Sequence, residues 1–439
     1  MWNQTLPNVT LSTPPLMSYH MQVAVLLATI SIFFAPFRAS AGLRASALLV
    51  ALLLLIFLWW KTRVRTIEFP KGVLFRASVL TWVAVVFFYS LIGPNWSLSL
   101  VSWRGDVITP LLAGIVFYSL GRSPRIVAIW LVALLVGLLV LTAMLLIEPF
   151  QPGIATYAPR YVNVGWLSTW LVMLASLLPL AWLLRWPKPG LALWLAALAT
   201  CVVVAAAWLT ANRVVWLCFG VMFLAYLTMN KRNGVLKSSA RIAAFVLCPI
   251  LSVGLFYAAS TARAAYYPEA GNGVVGMLRQ DDRYLIWEAA VRTIAERPFT
   301  GYGFATEEAK NALSMRFAEP WFREHFKQAH NFVLNAAIQM GIPGAIAVLV
   351  LFAGIGYGFL CRRHLSPQVC AVAACGVALV GGVFLRNMTD DFFSRHAALL
   401  FGALVGMLFA ICDWRDPTMY ATAWETSSQR LRDAEDTAA

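Results

Sequence analysis

Apolar stretches of about 18 to 22 residues recur along this chain, and a stretch of that length is what crosses a hydrocarbon core about 30 Å thick as a helix. Twelve can be marked out, near 17–36, 43–60, 77–94, 106–121, 126–147, 163–184, 190–209, 213–230, 242–260, 343–360, 367–385 and 395–412. Backbone polar groups in lipid must be satisfied within the segment, so the blocks read as helices and the chain as an all-α polytopic membrane protein. Only 12% of the residues are charged, against about 25% in soluble domains. The first block lacks a basic leader, and Asn3 to Pro15 before it is polar and uncharged, so it is expected to be a retained span.

A net charge of +14 would suit a nucleic-acid binder, but the placement of the cations argues otherwise. Of the short loops numbered in order, the even ones hold Lys61, Arg63, Arg65, Lys71, Arg76, Arg122, Arg125, Arg185, Lys188, Lys231, Arg232, Lys237, Arg241, Arg362 and Arg363. The short odd ones hold Arg38, Arg44, Arg104, Arg160, Arg213, Arg386 and Arg395. Fifteen cations against seven place the even loops in the cytoplasm by the positive-inside rule, together with both termini. The ninth loop, the large one, then faces outward. The expected organisation is nine spans over 1–260, an outward helical loop over 261–342, three spans over 343–412, and a polar cytoplasmic tail over 413–439. The seven cysteines lie in or beside apolar blocks and form no metal or disulfide pattern, so they are expected to be small core residues.

The large loop differs from the rest. Residues 261–330 carry 18 of the 54 formal charges, nine of each sign. Asp281 or Asp282 can cap a helix that runs to Arg297 and stops at Pro298. Arg279, Arg283 and Trp287 would share one face of it. Gly301-Tyr302-Gly303 reads as a turn, and a second helix starts at Thr306 with Glu307 and Glu308 in its first turn. A third is expected to run from Pro320 through His330 to Met340, ending at Gly341.

Ionisable groups near membrane depth mark candidate sites. Arg160 precedes the sixth span and Arg213 lies in the turn between the seventh and eighth. Arg279 and Arg283, one helical turn apart, can grip a diphosphate through charge-assisted hydrogen bonds. His330, followed by Asn331 at the junction of loop and membrane, can act as a general base near neutral pH. Arg386, Asp390 and Asp391 fall in the last outward turn, where a carboxylate could orient His330 or pair with an arginine. The charge count puts all of these at one face without reference to chemistry. Several arginines, one histidine and one carboxylate suit an anionic, phosphate-bearing substrate, and no Walker loop, dinucleotide fingerprint or metal-spaced cluster is present. The expected chemistry is therefore metal-free, with no cofactor.

Arg283-Tyr284-Leu285-Ile286-Trp287, Pro298-Phe299-Thr300-Gly301-Tyr302-Gly303, His330-Asn331 and Gly341-Ile342-Pro343-Gly344 together resemble the O-antigen ligase and O-antigen polymerase superfamily of bacterial envelopes. Thr210-Ala211-Asn212-Arg213 looks like its upstream Thr-x-Ser-Arg element, with Asn212 where serine is usual. The resemblance implies a fold similar to the GT-C membrane glycosyltransferases and a site at the periplasmic face of the bacterial inner membrane. It implies an undecaprenyl-diphosphate-linked glycan as donor and, for the ligase branch, lipid A–core oligosaccharide as acceptor, with inversion at the anomeric carbon. His330 would be the general base. Arg283 and Arg213 would stabilise the diphosphate, and Arg160, Arg279, Tyr284, Asn331 and Asp390 would contact substrate. An O-antigen polymerase and a protein O-oligosaccharyltransferase are the alternatives within the superfamily; the single large outward loop, late in the chain, favours the ligase. A lipid-linked glycan transporter is a more distant alternative, since the charged residues gather at one face and no repeated halves are visible.

Overall fold

The computed structural model describes residues 19–37, 40–62, 66–121, 123–147, 164–180, 189–210, 212–229, 238–264 and 282–413. Among these there are helices and turns and no strand. Within the described residues each of the twelve apolar blocks is helical. They are α1 Tyr19–Phe33, α2 Ala41–Thr62, α3 Val73–Ile92, α4 Trp96–Leu120, α5 Pro124–Ile147, α6 Gly165–Leu180, α7 Pro189–Leu209, α8 Val214–Met229, α9 Ser238–Ala264, and later α13 Phe332–Arg362, α14 Pro367–Asn387 and α15 Arg395–Asp413. Between α9 and α13 lie the short helices α10 Arg283–Glu296, α11 Glu307–Ser314 and α12 Pro320–His325. Among the described residues eight helices are long and apolar enough to cross a membrane, and four apolar ones are shorter. The chain is thus an all-α polytopic membrane protein. The tail expectation falls on 414–439, outside the described residues.

Several expected loops are in fact helical. Arg104, placed in the third loop, lies inside α4, which begins at Trp96 and passes through a π-turn at Arg104–Ile108. Arg44 sits in the first turn of α2 and is fully buried. In both places a charge interrupts an apolar run, which reads as a break in the sequence; Arg44 is covered by its neighbours, whereas Arg104 is an exposed residue of a continuous helix. Cys201 and Cys361 are exposed rather than core residues, while Cys218, Cys370, Cys375 and Cys412 are buried.

Small residues let the spans approach closely. Gly402 and Gly406 of α15, spaced GxxxG, face Pro110 and Gly114 of α4, and a Cβ on either glycine would overlap those backbones. At one end of the bundle Arg362 holds Asp413 through both carboxylate oxygens, at 2.6 and 2.8 Å, and donates to the Lys71 carbonyl at 2.8 Å. Tyr118 donates to the same carboxylate at 2.9 Å.

The other end carries α10–α12. This cap has its own small core of Ile286, Ala289, Ala290, Leu313, Phe317 and Ile338. It is clasped to α13 at a kink. Gly341 adopts φ +67°, which breaks the helical ladder, and Pro343 has no N–H to offer the Gln339 carbonyl. The turn at 301–303 supplies the missing donors: Tyr302 N–H reaches the Ile338 carbonyl at 3.0 Å and Gly303 N–H the Gln339 carbonyl at 2.9 Å. In return Ile342 N–H donates to the Pro298 carbonyl at 2.7 Å. Gly301 at φ +60° has the Gln339 backbone against the position its Cβ would take, so both segments need glycine. Tyr89 of α3 donates to the Phe299 carbonyl at 2.5 Å and Ser99 of α4 to the Phe304 carbonyl at 2.7 Å, pinning the same turn to the spans.

The expectation of one helix from Pro320 to Met340 is not met. α12 ends at His325, the chain leaves the helical region, and α13 starts only at Phe332 and continues through the kink to Arg362. The helix α10 stops before Pro298 as expected, but Asp282 makes no side-chain cap bond at its start. α11 is capped by Thr306, whose hydroxyl accepts from Ala309 N–H at 3.1 Å.

Candidate active site

His330 stands in the break between α12 and α13, with φ +49°. A left-handed backbone costs a non-glycine residue about 1–2 kcal/mol, so it persists only where neighbours fix it. They do so on both sides. Ala329 N–H donates to Asn335 Oδ1 at 2.7 Å, and the Ala329 carbonyl accepts from Trp287 Nε1 of α10 at 3.0 Å. Asn331 caps α13, its Oδ1 accepting from Val333 and Leu334 N–H at 3.0 and 3.1 Å, and its Nδ2 donates to the Met388 carbonyl at 3.1 Å. These bonds turn the imidazole away from the helix and toward the loop between α14 and α15.

There Asp390 meets it. His330 Nδ1 lies 2.9 Å from Asp390 Oδ1, and the other carboxylate oxygen faces Arg386 Nη2 at 3.4 Å. Burial alone would raise the Asp390 carboxyl; the His330 hydrogen bond and then the Arg386 charge outweigh it and hold the group below the usual carboxylate range. An ionised Asp390 requires Nδ1 to carry the proton. In the neutral imidazole Nε2 is then the acceptor nitrogen, on a side chain 32% exposed. Next to it Asp391 accepts from Asn335 Nδ2, and burial pushes its carboxyl up to about 6.

Arg386 is fully enclosed and anchors this arrangement to the spans. Its Nη2 donates to Ser168 Oγ of α6 at 2.9 Å and to the Gly165 carbonyl at 3.4 Å. Ser168 Oγ also accepts from Asn212 Nδ2 at 3.0 Å, and Asn212 Oδ1 accepts from Val214 N–H at 3.2 Å. Arg213, the next residue, is buried with its guanidinium 5.8 Å from the Phe256 ring centre. Arg283 opens α10, close enough for its charge to act on Asp390. So a single polar network joins His330, Asp390, Arg386, Ser168 and Asn212, with Arg283 and Arg213 on its flanks.

Of the residues singled out from the sequence, His330, Asp390, Arg283 and Arg213 come together here. Tyr284 is 64% exposed beside Trp287, their ring centres 6.3 Å apart. Asn331 is buried with its side-chain amide engaged in the cap. Arg160 and Arg279 lie outside the described residues. Sequence reasoning overlooked Ser168 and Asn335, and read Arg386 as a residue of the last outward turn that could pair with Asp390 without foreseeing its buried anchoring role. The i, i+4 spacing of Asn331 with Asn335, on the inner face of an apolar helix, was the available signal for Asn335. Ser168 had none, since a serine in a span is ordinarily satisfied by its own helix.

The same end of the bundle opens on an apolar cavity of about 370 Å3 between α3, α4, α13 and α15. Val83, Leu111, Leu351 and Phe401 line it, Asp106 of the π-turn and Phe393 stand at the end nearest Asp391, and Phe69 and Arg76 at the other. Phe393 packs on Phe332, two residues after His330, with ring centres 6.2 Å apart.

Fold and site together define a polytopic helical membrane protein with a His–Asp pair and buried arginines at one end of its spans. Residues 198–349 match the family model described as O-antigen ligase. The match spans Arg213, the cap, His330 and the Gly341 kink. No curated protein matches the chain.

Proposed function

We propose that the chain is an O-antigen ligase that transfers a glycan from undecaprenyl diphosphate to lipid A–core oligosaccharide at the periplasmic face of the inner membrane. The observation that carries the reading is the His330–Asp390 contact at 2.9 Å, which leaves Nε2 of the neutral imidazole as a proton acceptor, with the Arg283 charge near enough to act on Asp390. An acceptor sugar hydroxyl gives its proton to Nε2 while its oxygen attacks the anomeric carbon of the donor from the face opposite the diphosphate. The bond from the anomeric carbon to the diphosphate oxygen breaks, and the configuration inverts. Charge grows on the departing diphosphate, and Arg283 and Arg213, with Arg160 and Arg279, offset it in place of a metal. Asp390 holds the imidazole in the required tautomer. The apolar cavity offers a place for part of the donor's polyprenyl chain, with its Asp106 end next to the site.

The test is reconstitution of the purified protein with lipid-linked glycan and either lipid A–core or a second lipid-linked glycan. Transfer to lipid A–core alone, undiminished by EDTA, is the expected result. Chain extension of the lipid-linked glycan in its place would make the protein a polymerase, and loss of transfer on EDTA treatment that divalent metal restores would overturn the metal-free scheme.

A further inference from the structure

The wall beside His330 is aromatic, and part of it is left uncovered. α12 buries none of its residues, and Trp321 on it is 51% exposed. The ring is nevertheless fixed. It stacks on His325 with centres 4.5 Å apart at 18°, and meets Phe322 and Phe326 edge-on at 5.2 and 5.6 Å. Phe326 in turn stands edge-on to the His330 ring at 6.2 Å. Phe322 and Phe326 pack on the core of the cap, and Arg323 Nε donates to the Phe317 carbonyl at 2.5 Å, so the short helix is held in place.

A large apolar ring held rigid and half exposed is costly to leave in water and loses little entropy when a ligand covers it. Its neighbours Arg323, Glu324 and Lys327 carry both signs, which suits a ligand that presents hydroxyl groups around an apolar face rather than a single charge. A pyranose ring has that character. The diphosphate, by contrast, belongs on the α10 side with Arg283. We infer that Trp321, backed by His325 and Phe326, is a stacking platform for a sugar ring of the acceptor glycan, adjoining the sugar whose hydroxyl His330 deprotonates. The inference rests on the glycan-transfer reading above and adds to it a subsite and the face from which the acceptor enters.

The experiment uses the full chain in proteoliposomes, wild type, Trp321→Ala and Trp321→Phe, with donor and lipid A–core titrated separately. Core oligosaccharide freed of its lipid serves as a competitive inhibitor. Trp321→Ala is expected to raise both the acceptor KM and the inhibition constant of the lipid-free oligosaccharide by about 3- to 10-fold, as fits the loss of one aromatic contact. The donor KM stays as it was, the rate at saturating acceptor falls less than KM rises, and Trp321→Phe recovers most of the loss. A shift confined to the donor KM would assign the ring to the donor glycan and overturn the inference. So would an acceptor KM that moves while the lipid-free inhibition constant does not, because the ring would then sit among lipid headgroups. Wild-type transfer with unaltered constants in Trp321→Ala removes this inference alone. Absence of any wild-type transfer to lipid A–core removes the reading beneath it as well.

Discussion

Replacing Asp390 by asparagine exchanges one carboxylate oxygen for an NH2 group and tests how the site is wired. The carboxylate accepts the His330 Nδ1 proton at 2.9 Å and faces Arg386 at 3.4 Å. Loss of the charge-assisted bond alone is worth about 1.5–3 kcal/mol. The larger effect is on the tautomer. An amide can turn its N–H₂ toward Nδ1, which moves the imidazole proton to Nε2 and removes the acceptor for the substrate proton. A comparable exchange in a serine-protease triad lowers kcat about 10⁴-fold. The expected fall in kcat for Asp390→Asn is therefore between about 10²- and 10⁴-fold, read as glycan transfer per folded enzyme in proteoliposomes. Arg386 keeps its bonds to Ser168 and Gly165, so the variant should fold, with a lower Tm because a buried guanidinium has lost its counter-ion. The double variant His330→Ala, Asp390→Asn should be no slower than His330→Ala alone, since the two side chains act as one unit. If Asp390→Asn keeps turnover within about threefold of wild type, the carboxylate does not govern the histidine and the reasoning fails.

Three further outcomes follow from the geometry. Gly341→Ala should cost at least about 2 kcal/mol, from a left-handed alanine and a Cβ that would meet the Pro298 carbonyl at 2.6 Å; a lower Tm with reduced transfer checks it, and an unchanged Tm would contradict the clasp. Asp391, with its carboxyl raised to about 6, stabilises the fold fully below the unfolded value near 3.9 and loses that contribution as pH rises through 6, by at most about 1.4 kcal/mol per pH unit. Asp390 works in the opposite sense and only at lower pH, so between pH 4.5 and 7 the Tm difference between wild type and Asp391→Asn should narrow or reverse as pH rises; a pH-independent difference would remove the titration. Arg283→Ala should raise the donor KM about 10- to 100-fold and leave the acceptor KM alone, as expected for a lost charge-assisted contact to the diphosphate; an unchanged donor KM rules out that contact.

The spans were legible because lipid demands length and apolarity, and both are local properties of the sequence. Where the reading broke, a long-range partner was the reason. Arg44 reads as a loop residue in the sequence, yet its guanidinium is buried, with Nη2 2.5 Å from His396 Nδ1 of α15. Gly341-Ile342-Pro343-Gly344 looked like a helix end, yet the segment is a kink inside one, satisfied by the turn at 301–303 from another part of the chain. His330 and Asp390 were visible as residue types at one face. Their contact was not, because it depends on a break at residues 326–331 that helical propensity does not foretell. Arg386 was legible as charge and invisible as an anchor, since its partners Ser168 and Gly165 lie more than 200 positions away.

The central claim is that His330 takes the acceptor proton in a transfer from lipid diphosphate. It is tested most directly by His330→Ala in the proteoliposome assay, with the Tm measured on the same preparation. A fall in transfer of at least about 10²-fold at a Tm near that of wild type is the expected result. Transfer within a few-fold of wild type by a folded His330→Ala protein would contradict the account.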